Sequence, residues 1–203
     1  MGDAGSFSRV HPVRDPGSNG AHKNFAHPVR NVAALGIQPG MKVADFGSGS
    51  GAYVLAMARD MHHSGHVYAI DIQKDLLQRT KNEAEKMGYK NVEILWGDLE
   101  TPGGSKIADN TLELVLISNL LFQADDKRQV IAEAKRILRA NGRLAVIDWS
   151  DSFGGMGPHK DDVVKKEQVL TLARAVGLTF VKEFPAGAHH YGLIFRKHVG
   201  KVR

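Results

Sequence analysis

The 203 residues contain no cysteine. That excludes disulfides, thiolate metal sites and cysteine nucleophiles, and it fits a reducing compartment such as the cytoplasm. Long apolar runs are missing too, with none approaching the roughly 18 residues of a membrane span. Residues 1–20 lack an apolar core, so no secretory signal is expected there. Acidic residues are outnumbered by basic ones, 22 against 27, for a formal charge of +5. That balance permits an anionic partner, RNA included. However, Lys81, Lys86 and Lys90, like Lys135, Arg136 and Arg139, fall on the polar sides of expected helices, where charge is ordinarily solvated. His62, His63 and His66 cluster in a loop without a fixed carboxylate beside them, so no metal is expected.

What is present is an ordinary globular balance, 42% hydrophobic and 24% charged, in a chain long enough for one domain with a sizeable core. Residues 1–24 are rich in Gly, Ser, Asp, Asn and Pro and show no periodicity. They read as a mobile segment ahead of a domain over 25–203. Within that domain the hydrophobic period alternates between strand and helix. A short helix over 28–35 and a strand ending at Phe46 come first. A helix over about 51–61 and strands at 66–71 and 92–96 enclose a helix at 74–87. Further on are strands at 112–118 and 143–149, with helices over 126–139 and 161–176. Two last strands, 178–184 and 190–197, are joined by Pro185-Ala186-Gly187-Ala188, a connection short enough to make them antiparallel. Alternating strands and helices argue a parallel sheet covered on both faces, with ligands at the carboxyl ends of the strands.

The most informative stretch is Val43-Ala44-Asp45-Phe46-Gly47-Ser48-Gly49-Ser50-Gly51. A strand runs into alternating glycines and then a helix start, which together make a cradle for a small ligand. Without a Cβ the turn can be tight, and the first N–H groups of the helix are free donors. Gly47-x-Gly49-x-x-Ala52, with Asp71 about 20 residues on, fits a relaxed dinucleotide fingerprint. S-adenosylmethionine (SAM) fits the same turn. Asp45 tilts the choice toward SAM, because a carboxylate repels a pyrophosphate and attracts a sulfonium and an ammonium.

The order of these motifs resembles class I SAM-dependent methyltransferases. They are Val43–Gly51, Tyr68-Ala69-Ile70-Asp71, Gly97-Asp98-Leu99, residues 114–123 and Gly142-Arg143-Leu144-Ala145-Val146-Ile147-Asp148-Trp149. The likeness is greatest to the branch holding ubiquinone/menaquinone-biosynthesis and arsenite methyltransferases, and it covers about residues 25–197. It implies an α/β, Rossmann-like, doubly wound sheet of seven strands, mostly parallel with an antiparallel last strand. It also implies methyl transfer from SAM to a small-molecule acceptor, with S-adenosylhomocysteine as product, in a methyltransferase domain over 25–203.

The resemblance also implies roles. Asp45 would hold the ammonium end of SAM, and Gly47, Ser48 and Gly49 would line its methionyl part. Asp71 would accept the ribose hydroxyls and Ile72 would press on the adenine. Asp98, beside the Leu99 backbone, would accept from the adenine amino group, and Ser118 and Asn119 would sit near the sulfonium. The competing reading makes Asp71 and Asp98 strand-ending residues and Asn119 a turn cap. The chain also departs from the pattern. Without cysteine it lacks the thiols on which arsenic chemistry depends in the related enzymes. Asn119-Leu120 does not form the Asn/Asp-Pro-Pro-Tyr/Phe motif of enzymes that methylate nucleic-acid amino groups. Polar groups at the acceptor end would come from His189, His190 and Tyr191, followed by Asp148, Trp149, His159 and His27. Two alternatives stand beside this reading: an NAD-dependent oxidoreductase, and a non-catalytic SAM- or RNA-binding protein.

Overall fold

In the computed structural model, residues 26–155 and 157–198 are described; the stretch 1–24, expected to be mobile, lies outside them. The chain runs α1 (Pro28–Leu35), β1 (Lys42–Phe46), α2 (Ala52–Asp60), β2 (His66–Asp71), α3 (Lys74–Lys86), β3 (Val92–Trp96) and β4 (Leu112–Ser118). It continues through α4 (Lys127–Ile137), β5 (Leu138–Trp149), α5 (Lys166–Ala175), β6 (Leu178–Gly187) and β7 (His190–Lys197). The seven strands lie in the order β3-β2-β1-β4-β5-β7-β6. The first five are parallel, while β7 runs antiparallel to both β5 and β6.

Each central strand alternates its side chains between two cores. On one face Val43, Leu114, Leu116, Ala145 and Ile147 meet α1, α2 and Leu77 of α3. On the other, Ala44, Phe46, Val115, Ile117, Val146 and Tyr191 meet α4 and α5. In β4 only Glu113 is not buried, which is why its sequence reads as an apolar run rather than an alternation. Helix α4 starts where expected, since the Asp126 side chain accepts from the Gln129 N–H at 2.9 Å.

Several boundaries differ from expectation, and β6 runs on to Gly187, through most of the expected connection 185–188. Helix α5 begins at Lys166, not at 161. Residues Lys160–Asp162 form one 3₁₀ turn, and Val163 and Lys165 are extended. The extension drops Val164 into the core at 1% exposure and presents its carbonyl to the Tyr191 hydroxyl at 2.8 Å. The extended run of β5 begins at Leu138, but Asn141, at φ +63°, breaks it, and regular pairing with β4 resumes at Leu114↔Arg143. Helix α3 ends at Lys86, one residue before the expected end, and Met87, which follows it, is 50% exposed.

Candidate cofactor and acceptor site

Strand order reverses at β1, which has β2 on one side and β4 on the other, so the crevice of a doubly wound sheet opens over their carboxyl ends. The glycine stretch closes that end of β1. The N–H groups of Gly47 and Ser48 both donate to the Ile70 carbonyl, at 2.9 and 3.0 Å, and the Gly51 N–H donates to the Ser48 carbonyl at 2.9 Å. Gly47 and Gly51 have no substitute. Both have positive φ, +69° and +79°; a Cβ on Gly47 would lie 2.9 Å from the Leu120 side chain, and one on Gly51 would lie 2.5 Å from Thr80. Gly51 also starts α2 without a side-chain cap, leaving the first-turn N–H groups of α2 to other partners.

Asp71 holds this loop in place. One carboxylate oxygen accepts from the Gly49 N–H and the other from the Gln73 N–H, both at 2.8 Å. A carboxylate has about four acceptor sites, so two remain for a ligand's hydroxyls. Asp45 is 2% exposed, and its Oδ1 has no hydrogen-bond partner among the described residues. Burial, and then the nearby Asp71, push its pKa well above the usual carboxylate range. Such a site lacks a cation, and the ammonium of SAM would supply one.

At the end of β4, Asn119 sits in the left-handed region at φ +52°, with its Oδ1 buried and unpartnered among the described residues. The buried Ser118 hydroxyl lies beside the Tyr53 phenol, close enough to influence its titration but outside hydrogen-bond geometry. Ser48 Oγ is likewise buried and without a partner among the described residues. Orphaned oxygens on Asp45, Ser48 and Asn119, around glycines that tolerate no Cβ, fit a polar ligand laid across β1 and β4.

The adenine-side residues are arranged differently. Ile72 is 60% exposed beside Trp96, whose indole N–H donates to the Ile72 carbonyl at 3.0 Å. The Lys74 ammonium stands 4.7 Å from the Trp96 ring. Asp98 is exposed, and its oxygens accept from the Glu100 N–H at 3.0 Å and the Thr101 hydroxyl at 3.1 Å, a local turn. Leu99 is buried in the core.

The acceptor-side candidates separate by face. Tyr191 points into the α4–α5 core with its hydroxyl on the Val164 carbonyl, and burial raises its pKa. Asp148 lies on the same face, fully buried. It accepts from the Leu121 N–H at 3.1 Å and the Trp149 N–H at 2.8 Å, tying the segment after β4 to β5. Burial pushes its pKa up to about 7, against the pull of backbone N–H groups on Trp149, Leu121 and Phe122. Asp148 and Tyr191 are therefore built into the scaffold.

On the opposite face His190 is 7% exposed and lies against the Trp149 indole at 4.2 Å, with neither ring nitrogen bonded among the described residues. Burial pulls its pKa down to about 4, with His189 adding to the effect. His189 Nδ1 is 2.8 Å from Asp151 Oδ1, and its ring stacks on Phe153. His159 and His27 are exposed. Sequence reasoning missed Asn31, whose amide donates to the Tyr53 hydroxyl at 2.8 Å and the Ala186 carbonyl at 3.0 Å, joining α1 to α2 and β6. The available signal was an Asn four residues before Leu35, on the buried face of a short helix.

A family model described as a methyltransferase domain matches residues 37–180. The chain is 28% identical over 139 residues to an arsenite methyltransferase of Halobacterium salinarum, covering 68% of this chain and 34% of the relative. It is 30% identical over 115 residues to a demethylmenaquinone methyltransferase of Listeria welshimeri, covering 56% and 47%. The chain thus spans between a third and a half of the length of these curated relatives. Among solved structures it superposes on a SAM-dependent methyltransferase from Aquifex aeolicus with a TM-score of 0.75 at 25% identity, covering 83% of this chain and 88% of that one.

Proposed function

Because the chain belongs to the methyltransferase domain family, whose methyl donor is SAM, we propose that it transfers a methyl group from SAM to a small-molecule acceptor. The observation that carries this is the unpartnered, buried carboxylate oxygen of Asp45 beside glycines fixed at positive φ. When bound, SAM supplies an electrophilic methyl group on a sulfonium. The chain's part is to bind, orient and exclude water, which is most of what methyl transfer asks of an enzyme.

In this reading Asp45 pairs with the ammonium of the methionyl end. Gly47, Ser48 and Gly49 give backbone room, and Asp71 turns its remaining lone pairs to the ribose. Ile72 covers the adenine, and Asp98 and the Leu99 backbone meet its amino group. Ser118 and Asn119 stand next to the sulfonium. The domain runs over 25–203. With no cysteine in the chain, a carbon or oxygen acceptor is favoured over a thiol-bound metalloid, and a reducing, cytoplasmic setting is in keeping with the same absence. No helix among the described residues is long and apolar enough to cross a membrane.

Titration calorimetry with SAM and S-adenosylhomocysteine tests the proposal. Micromolar binding of both is expected, and no heat at sub-millimolar ligand would overturn it.

A further inference from the structure

Asp148 is shut inside the fold, yet it holds the segment that meets the glycine loop. Strand β4 ends at Ser118, and the chain then turns sharply toward α4. That turn is pinned to β5 at two successive residues. The Asn119 N–H donates to the Ile147 carbonyl at 2.9 Å, and the Leu121 N–H donates to Asp148 Oδ2 at 3.1 Å. The Phe122 N–H adds its pull on the same carboxylate. Inside the turn the Leu120 carbonyl accepts from the Gln123 and Ala124 N–H groups, at 3.0 and 3.1 Å, and the Gln123 side chain donates to the Asn119 carbonyl at 2.8 Å.

Two members of the turn lie on the cofactor side. Asn119 is held at φ +52°, with its Oδ1 buried and unpartnered among the described residues. A residue other than glycine keeps that backbone setting where its surroundings impose it. Leu120 lays its side chain over Gly47, in the space a Cβ would need. One carboxylate therefore stands behind both Asn119 and the glycine cradle.

The charge of Asp148 suits it to this task. An ionised carboxylate accepts only, and N–H groups from the turn and from Trp149 converge on it. A protonated acid, or an amide in its place, brings a donor to a position where donors already meet. Among the described residues, the charged and titratable groups around Asp148 are Lys127 of α4, Tyr191 beside it on β7 and, acting on Tyr191, Glu167 of α5. Lys127 favours the ionised form, and Tyr191 stays neutral because burial raises its pKa. Asp148 itself titrates at about 7, so both of its forms are populated near neutral pH.

On the methyltransferase reading given above, we propose that Asp148 is a positioning residue of the cofactor site: its ionised carboxylate sets the 119–122 turn so that Asn119 and Leu120 meet the cofactor, and its protonated form lets the turn go. Asp148 touches neither cofactor nor acceptor and moves no proton in the reaction. Cofactor affinity is therefore expected to rise with pH as the acid ionises. Asp45 adds a pH dependence of its own for any ligand that carries an ammonium. The probe that isolates Asp148 is 5′-methylthioadenosine, which keeps the sulfur and lacks the amino-acid end.

The test is calorimetry of the full chain with 5′-methylthioadenosine at pH 6 and pH 8, beside the ¹⁵N resonances of the Asn119, Leu121 and Phe122 N–H groups. The wild type should bind about tenfold more weakly at pH 6, because the ionised, competent fraction falls from about nine-tenths to about one-tenth. The three resonances should move together over the same range, and bound S-adenosylhomocysteine should shift their midpoint to lower pH. Asp148→Asn should bind with the wild type's pH 6 strength at both pH values, within about twofold, while its stability at pH 8 is no lower than that of the wild type. A merely structural acid would not lose affinity without losing stability. If the variant fails to fold or the probe binds too weakly to measure, the wild-type resonances and their shift with S-adenosylhomocysteine decide. An affinity indifferent to pH in the wild type, turn resonances that follow no common titration, or an Asn variant with wild-type affinity at pH 8 overturns the proposal. If the wild type takes up no S-adenosylhomocysteine at either pH, the methyltransferase reading falls and this inference with it; normal uptake with a turn indifferent to pH sinks the inference alone.

Discussion

Glu133 and Asp45 are both carboxylates shut away from solvent, at 1% and 2% exposure, and they live in opposite ways. Burial alone would raise the pKa of Glu133. Its oxygens, however, accept from Arg136, the Ser105 hydroxyl and the N–H groups of Ser105 and Gly103, and these bring it down to about 2. Arg136 goes on to Asp109 and the Ile107 carbonyl, so the cluster clamps the 103–109 segment to α4. Asp45 has an oxygen with no partner among the described residues and a raised pKa. A buried charge with all its partners belongs to the fold. A buried acid without them, at the carboxyl end of β1, is what the cation of the proposed cofactor would complete.

The sharpest way to break this contrast is to truncate each acid. Glu133→Ala should cost about 3–5 kcal/mol in urea denaturation, because it strands Arg136 and frees the 103–109 segment. Cofactor binding by the fraction that folds should stay near the wild-type value. Asp45→Asn should leave stability unchanged or slightly raised and weaken SAM binding about 100-fold, roughly 2.7 kcal/mol. If the Asn variant unfolds while binding survives, Asp45 is a structural residue and the contrast is lost.

Glu133 and a third buried acid, Asp148, should respond to pH with opposite signs. Glu133 titrates at about 2 when folded and near 4.5 when unfolded. Its stabilisation, about 3 kcal/mol, is complete above that unfolded value and is lost as pH falls toward the folded one. Asp148 goes the other way, with a folded pKa of about 7 against an ordinary 3.8. It burdens the fold progressively as pH rises between those values and not below them. Denaturation curves from pH 2 to pH 8 should therefore flatten at the acid end in Glu133→Gln and at the neutral end in Asp148→Asn. Identical slopes in wild type and variants would remove the assignment.

Smaller changes sharpen the picture within the site. Gly47→Ala forces a side chain into positive φ and toward Leu120. It should cost about 1–2 kcal/mol of stability and several-fold in cofactor affinity. Ile72→Ala alters an exposed residue, so thermal melting should not move, while adenosine-end affinity falls about threefold, less than 1 kcal/mol. A shift in melting temperature would show that Ile72 supports the fold instead.

The sequence made the sheet legible because its central strands obey simple rules. An apolar run such as 112–118 is buried on both faces, and glycines after a strand mark a turn that a Cβ would block. Asp45 was legible for the same reason, since an acid inside an apolar strand is conspicuous. The contacts that shape the acceptor end were hidden because they join distant segments: Asn31 and Ala186 are 155 residues apart. The faces of Asp148, Tyr191 and His190 also depend on register, and one step along β7 separates a residue in the α4–α5 core from one on the opposite face of the sheet. The start of α5 could not be placed from periodicity, because Val163–Lys165 keeps an apolar residue buried while leaving the helix. For Asp98, local pattern left an adenine contact and a strand end open, and in the fold its oxygens accept from Glu100 and Thr101 in a turn just after β3.

The place of β7 between β5 and β6 has a consequence for the time course of folding. Among the described strands β6 pairs with β7 and with no other. During synthesis residues 178–187 emerge first, yet they have no strand to join until residues 190–197 are made and laid along β5. The sheet cannot close in the order of translation. The β6 segment must wait, exposed, for a strand made after it, and this step has the long-range character that slows folding and invites aggregation. The same step delivers His190 to the rim, so the acceptor end should be the last part of the molecule to mature, after the cofactor end is already built.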